Sequence, residues 1–155
     1  MAPVWERRWE LRERLSNPME IVDLYAMGSW MYEETGRYEE SIRIAQEYID
    51  DAAEALTIHP RVWMSLSLFR LGRWDEALTS CSAGVRALGD KVDDPPGFSV
   101  GLFLIPAVIH HLRADEPALE GLRESVARIR SGQRAFALQP GGAVLDGRDI
   151  GTVIA

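Results

Sequence analysis

Two six-residue segments of this chain repeat each other 36 positions apart. GRYEES occupies 36–41 and GRWDEA occupies 72–77, so glycine, arginine, an aromatic residue, an acid, glutamate and a small residue recur in the same order. The residues that follow correspond as well: Ser41, Ile42, Ala45, Ile49 and Ala52 match Ala77, Leu78, Cys81, Val85 and Leu88. Self-similarity at a period of about 20–50 residues is the signature of a repeat architecture. The chain is therefore predicted to fold as consecutive copies of one small unit.

Each copy has the pattern of two helices joined at a glycine, because glycine can end a helix in the left-handed conformation without steric cost. The first copy is predicted as helices 19–35 and 38–56 around Gly36, and the second as helices 60–71 and 74–88 around Gly72. A weaker third copy covers 98–112 and 118–129, with Arg113 in place of the turn glycine. Amphipathic spacing predicts a further helix over 4–15.

The predicted fold class is all-α, with antiparallel helix-turn-helix repeats stacked as a short solenoid. One repeat cannot bury its apolar stripe alone, so neighbouring repeats must share a core. The predicted organisation is a capping helix in 1–16, repeats in 19–130 and a tail in 131–155 that does not belong to the repeat and is expected to be irregular.

Composition restricts the classes of function. The 155 residues carry a net charge of −7, which argues against a nucleic-acid surface. Cys81 is the single cysteine, so no intramolecular disulfide can form, and the segment VWERRWELRERL is too charged for a signal peptide. The longest apolar stretch, 98–109, is too short to span a bilayer and contains Pro106. We expect a soluble, cytoplasmic protein with no membrane partner.

The repeat resembles the tetratricopeptide repeat, a helix-turn-helix unit of about 34 residues. That family has a small residue midway in the first helix, a glycine at the turn, an aromatic residue just after it and an alanine three positions later. The matching residues are Ser29, Gly36, Tyr38 and Ser41, then Ser65, Gly72, Trp74 and Ala77. The spacing departs from the family, being 36 and then 41 positions when counted at Ser41, Ala77 and Ala118.

In that family the first helices of successive repeats line a groove that binds a peptide. By position, the resemblance implies a groove lined by Trp30, Glu33, Glu34, Trp63, Leu66, Phe69, Arg70, Phe103 and His110. Lysines and asparagines, which clamp a terminal carboxylate in some members, are absent from these positions, so that ligand class is disfavoured. Each aromatic residue also has an alternative interpretation as inter-helix core.

Acidic residues concentrate between Tyr32 and Glu54, where eight acids and two arginines give a net charge of −6. This segment could steer a basic partner. An ordinary solvated helix face is the favoured account.

Several chemical sites are disfavoured by spacing. His110 and His111 are adjacent, so on a helix they point about 100° apart and cannot chelate one metal together. With one cysteine and one other histidine, His59, a zinc site lacks ligands. Cys81 occupies a packing position of the repeat and is expected to be a small buried residue. No metal, cofactor or catalytic residue is predicted.

The tail has a different character. GQRAFALQPGGAVLDGRDIGTVIA, over 132–155, resembles a segment of bacterial cytidylate kinases. The resemblance implies that Arg148 and Asp149 contact a nucleoside monophosphate, yet the 155 residues contain no GxxxxGK[ST] loop for the donor phosphates. The tail is either a kinase remnant joined to a repeat domain, through a chimera, a truncation or an assembled fragment, or a coincidental C-terminal cap.

The predicted function is a non-enzymatic scaffold that binds a protein or peptide of unknown identity, a kind of module that often forms part of a larger regulatory protein. The alternative is a nucleotide-binding remnant of a cytidylate kinase, catalytically silent for lack of the phosphate loop. A third possibility is a structural domain with no ligand groove, which would require Trp30 and Trp63 to be buried.

Overall fold

The computed structural model describes the backbone of residues 2–132 and their side chains except those of residues 2–4, 6 and 128–132. This part of the chain is all-α, as the sequence predicts, and contains no strand. Its α-helices are α1 (Ala2–Glu10), α2 (Pro18–Glu34), α3 (Tyr38–Asp51), α4 (Ile58–Arg70), α5 (Trp74–Leu88), α6 (Gly101–Leu112) and α7 (Glu116–Gly132). Short 3-10 turns lie at Arg12–Arg14, Glu54–Leu56, Gly89–Lys91 and Gly97–Val100.

Helices α2 to α7 form three helical hairpins whose turns have the same geometry. Gly36 and Gly72 both have φ of 74°, in the left-handed region, where glycine carries no Cβ penalty. The next amide reaches back five residues in each case: Arg37 N donates to the Tyr32 carbonyl over 2.8 Å and Arg73 N to the Leu68 carbonyl over 2.9 Å. The hydrogen bond at each helix end satisfies a carbonyl that would otherwise lack a donor.

The third turn is built the same way around Ala114, which corrects the sequence-based placement of Arg113 at that position. Ala114 has φ of 53°, and Asp115 N donates to the His110 carbonyl over 2.9 Å. Arg113 is still in the right-handed region, with φ of −88°. An alanine in a glycine position concealed the turn in the sequence.

The third repeat is therefore displaced by one residue from its predicted alignment. Counted from the turn residue, Leu119 rather than Ala118 occupies the position of Ser41 and Ala77, and it is 1% exposed. The same count places Ala107 at the position of Ser29 and Ser65. All three of these small residues are buried, which lets the two helices of each hairpin approach closely.

The hairpins stack side by side. Helix α4 packs against α2 on one side and α6 on the other, so the first helices of the three hairpins form a continuous layer. Second helices pack between hairpins, with α3 against α4 and α5 against α6. One apolar cluster runs from Ala45 in α3 to Val126 in α7 and is shared by the three hairpins. A second cluster, formed by Trp5, Leu24 and Ile44, lies between α1 and the first hairpin.

Helix α1 covers the open side of the first hairpin. The Trp5 indole is 7% exposed and packs over Gly28, where an added Cβ would collide with it. Its Nε1 donates to the Leu24 carbonyl over 3.3 Å. Trp9 stacks on Trp5 with ring centroids 5.2 Å apart, so α1 docks through a pair of tryptophans.

Two predicted helix ends are wrong by several residues. Helix α3 ends at Asp51 rather than at 56, since Ala52 and Ala53 are extended and the chain re-enters only a 3-10 turn. Helix α1 ends at Glu10 rather than at 15 and is followed by the 3-10 turn Arg12–Arg14. Helix-favouring residues continue through both ends, as DAAEAL at 51–56 and ELRERL at 10–15, with no glycine or proline, so the sequence offered no stop signal there.

Candidate binding surface

Four aromatic side chains form a row across the layer of first helices. Trp30 on α2 and Trp63 on α4 have ring centroids 6.2 Å apart at an interplanar angle of 41°. His59, one turn before Trp63, lies 6.4 Å from it, and the Phe98 ring lies 4.8 Å from His59. We call Trp30, Trp63, His59 and Phe98 the aromatic row. It joins the first helices of two hairpins to the 3-10 turn that begins the third.

The row is placed by the packing of α2 on α4. Ser29 points into the first hairpin, where its hydroxyl donates to the Ser41 carbonyl over 2.8 Å. Successive residues on a helix point about 100° apart, so the neighbouring Trp30 turns away from that hairpin and toward α4. Trp30, Trp63 and His59 are half-buried, and Phe98 is 49% exposed. The row is thus both packed and open to solvent.

Both indoles present carbon atoms to solvent rather than a hydrogen-bond donor. The Trp30 Nε1 donates to Glu34 Oε1 over 3.2 Å. The Trp63 Nε1 is buried and has no acceptor among the described residues. The accessible part of each ring is therefore apolar π surface.

An ion pair closes the row at the C-terminal end of the two helices. Arg70 Nε lies 3.4 Å from Glu33 Oε1, and the Glu33 side chain is only 6% exposed. Burial raises the pKa of Glu33, and Arg70 partly opposes this shift because its positive charge stabilises the carboxylate. The pair ties α2 to α4 and neutralises both charges locally.

His59 is the one member of the row whose side chain can gain or lose a proton. Burial lowers its pKa, and the negative charge of Asp23 acts in the opposite direction. A neutral imidazole is therefore favoured at pH 7, and it packs as an aromatic ring between Trp63 and Phe98. Sequence reasoning did not select His59 or Phe98, although His59 lies four positions before Trp63 and thus on the same helix face.

Four other predicted groove residues lie in the core, against it or at the third turn. Phe103 is 4% exposed and belongs to the core, so its assignment to a groove surface is corrected here; α6 buries residues 101–107 without interruption. Leu66 and Phe69 pack against the main core cluster while remaining partly exposed. His110 Nδ1 lies 3.0 Å from Asp115 Oδ2 at the third turn.

Arginines of the chain itself form ion pairs with several of the acidic residues between Tyr32 and Glu54. Arg37 lies 2.9 Å from Glu40, Arg43 lies 3.3 Å from Glu47, and Arg73 of the second turn reaches Glu39 over 3.2 Å. These pairs are largely exposed, so solvent screens them and each stabilises the fold only weakly. The segment is therefore less free to attract a partner than its net charge suggests.

Other chemistry has little support in the described residues. Cys81 is 1% exposed, and burial raises the pKa of its thiol to about 12, which opposes a role as nucleophile. No three histidine, cysteine or acidic side chains in the described part of the chain converge on a possible metal position. A shallow open cavity of about 350 Å³ lies between α2 and α3, with Tyr25 and Tyr48 in its wall and Glu47 and Asp51 among its lining residues.

Comparison with known proteins gives partial similarity to one class. The matches are to cytidylate kinases. The cytidylate kinase of Cereibacter sphaeroides (strain KD131 / KCTC 12085) is 44% identical over 77 residues, which cover 44% of this chain and 37% of that protein. The cytidylate kinase of Rhodopseudomonas palustris (strain HaA2) is 46% identical over 80 residues, which cover 51% of this chain and 38% of that protein. No protein-family profile matches the chain, and no solved structure does.

The chain spans less than two fifths of the length of these relatives. The predicted similarity covered 132–155, which is 24 residues, whereas an alignment over 44% of 155 residues is more than twice as long. The similarity therefore includes residues before 132, inside the helical part of the chain. Arg148 and Asp149, the residues implied to contact a nucleotide, lie outside the described residues.

None of the helices in the described ranges is long and apolar enough to cross a membrane.

Proposed function

We propose that this chain is a non-enzymatic scaffold resembling tetratricopeptide-repeat proteins, which binds a protein or peptide segment on the layer formed by α2, α4 and α6. The observation that carries the proposal is the aromatic row, which crosses from the first hairpin to the start of the third and remains partly open to solvent. A cytoplasmic location suits a chain with a single, deeply buried cysteine.

Two physical arguments favour binding over a purely structural role for the row. Tryptophan is enriched among the residues that dominate protein-protein interfaces, because it buries a large area with few rotatable bonds. A row that served only as core would be covered on both sides, yet Phe98 is 49% exposed and both tryptophans are reachable from solvent. Three hairpins also give a rigid backing, so little conformational entropy is lost when a partner binds.

The test is selection of peptides from a random library displayed on phage, followed by affinity measurement with the best selected peptide. We expect Trp30→Ala to weaken binding about tenfold or more, as is typical of a central aromatic contact. Trp74→Ala is the matched control, because Trp74 is also a half-buried tryptophan and lies on α5, outside the layer of first helices. Equal affinity of Trp30→Ala and the parent protein, or failure to select any peptide, would contradict the proposal.

A second candidate function is nucleoside monophosphate binding by a catalytically silent kinase remnant. Its support is the 44–46% identity to cytidylate kinases and the motif GRDIG with Arg148 and Asp149. An arginine fork suits a phosphate because it can donate to two oxygens at once. Phosphoryl transfer also needs groups that hold the donor phosphates, and the only lysine, Lys91, lies in no phosphate loop.

Calorimetric titration with cytidine monophosphate tests this candidate. Binding that disappears in Arg148→Ala but persists in Arg130→Ala would support it. Absence of heat at millimolar ligand would remove it.

A further inference from the structure

The Trp30–Trp63 part of the aromatic row lacks the arginine that lies over some other aromatic rings of the described chain. At three other places an arginine of the chain itself lies over a ring: Arg12 over Trp9 at 5.0 Å, Arg37 over Tyr32 at 4.4 Å and Arg113 over Trp74 at 5.6 Å. Within the described residues, Trp30 and Trp63 have no such cation. Their rings are inclined at 41° and offer π surface without a cation of their own.

One carboxylate near this pair has no ion-pair partner among the described side chains. Glu33 is paired with Arg70, and Asp23 lies 3.7 Å from Arg8. His59 favours the neutral form because burial lowers its pKa. Glu34 is exposed, accepts only the Trp30 indole N–H, and makes no ion pair with any residue whose side chain is described. The net charge of these groups is therefore −1, and the unpaired carboxylate of Glu34 lies beside the Trp30 ring.

The indole N–H groups of the pair are not available to an anionic ligand. The Trp30 N–H is occupied by Glu34, and the Trp63 N–H is buried. Of the basic groups that border the pair, Arg70 already binds Glu33. A carboxylate or phosphate would thus meet a negative charge and find no free indole donor.

We propose that the surface formed by Trp30, Trp63 and Glu34 binds a lysine or arginine side chain of a partner polypeptide. This inference rests on the proposed peptide-binding function and names the chemistry of its occupant. The cation lies against the indole faces, which attract positive charge through the ring quadrupole when it is within about 6 Å of the centroid. The Glu34 carboxylate accepts a hydrogen bond from the cation, and the aliphatic part of the side chain packs on Trp63.

The test uses peptides selected by the parent protein from a random display library. We expect lysine or arginine to be enriched at one position of the aligned sequences. Replacing that residue by norleucine, which has similar length and no charge, should weaken binding to the parent protein about threefold or more. Glu34→Gln should weaken the basic peptide about threefold and leave the norleucine peptide unchanged, because the two changes remove the same interaction.

Charge reversal provides the sharper comparison. Glu34→Lys should weaken the basic peptide further and shift a new selection toward acidic residues at the same position. Glu124→Lys is the matched control, since Glu124 is an exposed acid on α7 and its replacement changes the net charge equally. Equal weakening by both variants would overturn the inference, because it would show a long-range charge effect rather than a local contact.

The outcomes also separate this inference from the proposed function. Peptides that bind in a Trp30-dependent manner but show no basic position would overturn the inference and leave the scaffold function standing. Failure to select any peptide would contradict both.

Discussion

The side-chain oxygen of Ser29 in α2 lies 2.9 Å from that of Ser41 in α3. Ser67 of α4 joins them from the next hairpin, because its hydroxyl donates to the Ser41 hydroxyl over 2.8 Å. All three side chains are 0% exposed. One buried set of hydroxyls thus connects three helices at the point where their small residues allow the closest approach.

This arrangement predicts that Ser41→Ala is more destabilising than Ser67→Ala. Removing the Ser41 hydroxyl leaves that of Ser67 buried without its acceptor, at a cost of about 1–3 kcal/mol. Removing the Ser67 hydroxyl leaves Ser41 still bonded to Ser29. Urea unfolding of both variants measures the difference in the free energy of unfolding, with Ser82→Ala on the exposed face of α5 as the control. Equal losses in the two buried variants would contradict the asymmetry.

The third turn predicts a stabilising substitution. Ala114 has φ of 53° in the position that Gly36 and Gly72 occupy in the other turns. A Cβ in this conformation costs about 1–2 kcal/mol, so Ala114→Gly should raise the free energy of unfolding by about 1 kcal/mol. Gly72→Ala should lower it by a similar amount, although no atom lies within 4 Å of the added methyl. Thermal unfolding of the two variants should show melting temperatures displaced in opposite directions; displacement in the same direction would argue against the shared turn geometry.

Two helical glycines should respond in opposite ways to the same change. A Cβ at Gly84 would lie 2.7 Å from Leu102 Cδ1, where α5 packs on α6, so Gly84→Ala should destabilise the fold by about 1–3 kcal/mol. Nothing lies within 4 Å of a Cβ at Gly121 on α7. Gly121→Ala should therefore stabilise by about 0.5–1 kcal/mol through helix propensity alone. Denaturant midpoints of the pair measure both effects, and a loss of stability in Gly121→Ala would show that α7 is packed differently.

Burial of His59 predicts a dependence of stability on pH. Its folded pKa is lowered below the unfolded value of about 6.5, so between the two values the unfolded state binds more protons and stability falls as pH falls. Glu33 acts oppositely, because its raised pKa gives a contribution that is lost as pH rises through the folded value. Comparing the parent with His59→Phe, which retains an aromatic ring beside Phe98, isolates the histidine.

The measurement is the free energy of unfolding of both proteins at several values from about pH 7 to about pH 5. The parent should lose stability relative to His59→Phe as the pH decreases. His111→Gln, at an exposed position of α6, is the control for the loss of a histidine. Parallel curves for the parent and His59→Phe would refute the predicted shift.

Much of the fold could be predicted from local patterns in the sequence. Gly36 and Gly72 identified two turns, and the predicted α5 boundaries at 74 and 88 agree with the helix Trp74–Leu88. The binding surface was only partly predictable: Trp30 and Trp63 were selected, whereas His59 and Phe98 were missed and Phe103 was misplaced. Phe98 and Phe103 are both phenylalanines in the same apolar stretch, five residues apart. Periodicity alone therefore could not tell which ring would be exposed.

What the sequence by itself determined is the all-α hairpin architecture, because a helix and its turn depend on backbone bonds and steric limits within about five residues. The tertiary structure decided the register of the third hairpin, where Ala114 is held in a left-handed conformation despite its Cβ. It also decided that Glu33 meets Arg70 and that Trp30 meets Trp63. These pairs are more than 30 positions apart in the chain, and only the packing of α2 against α4 brings them within reach.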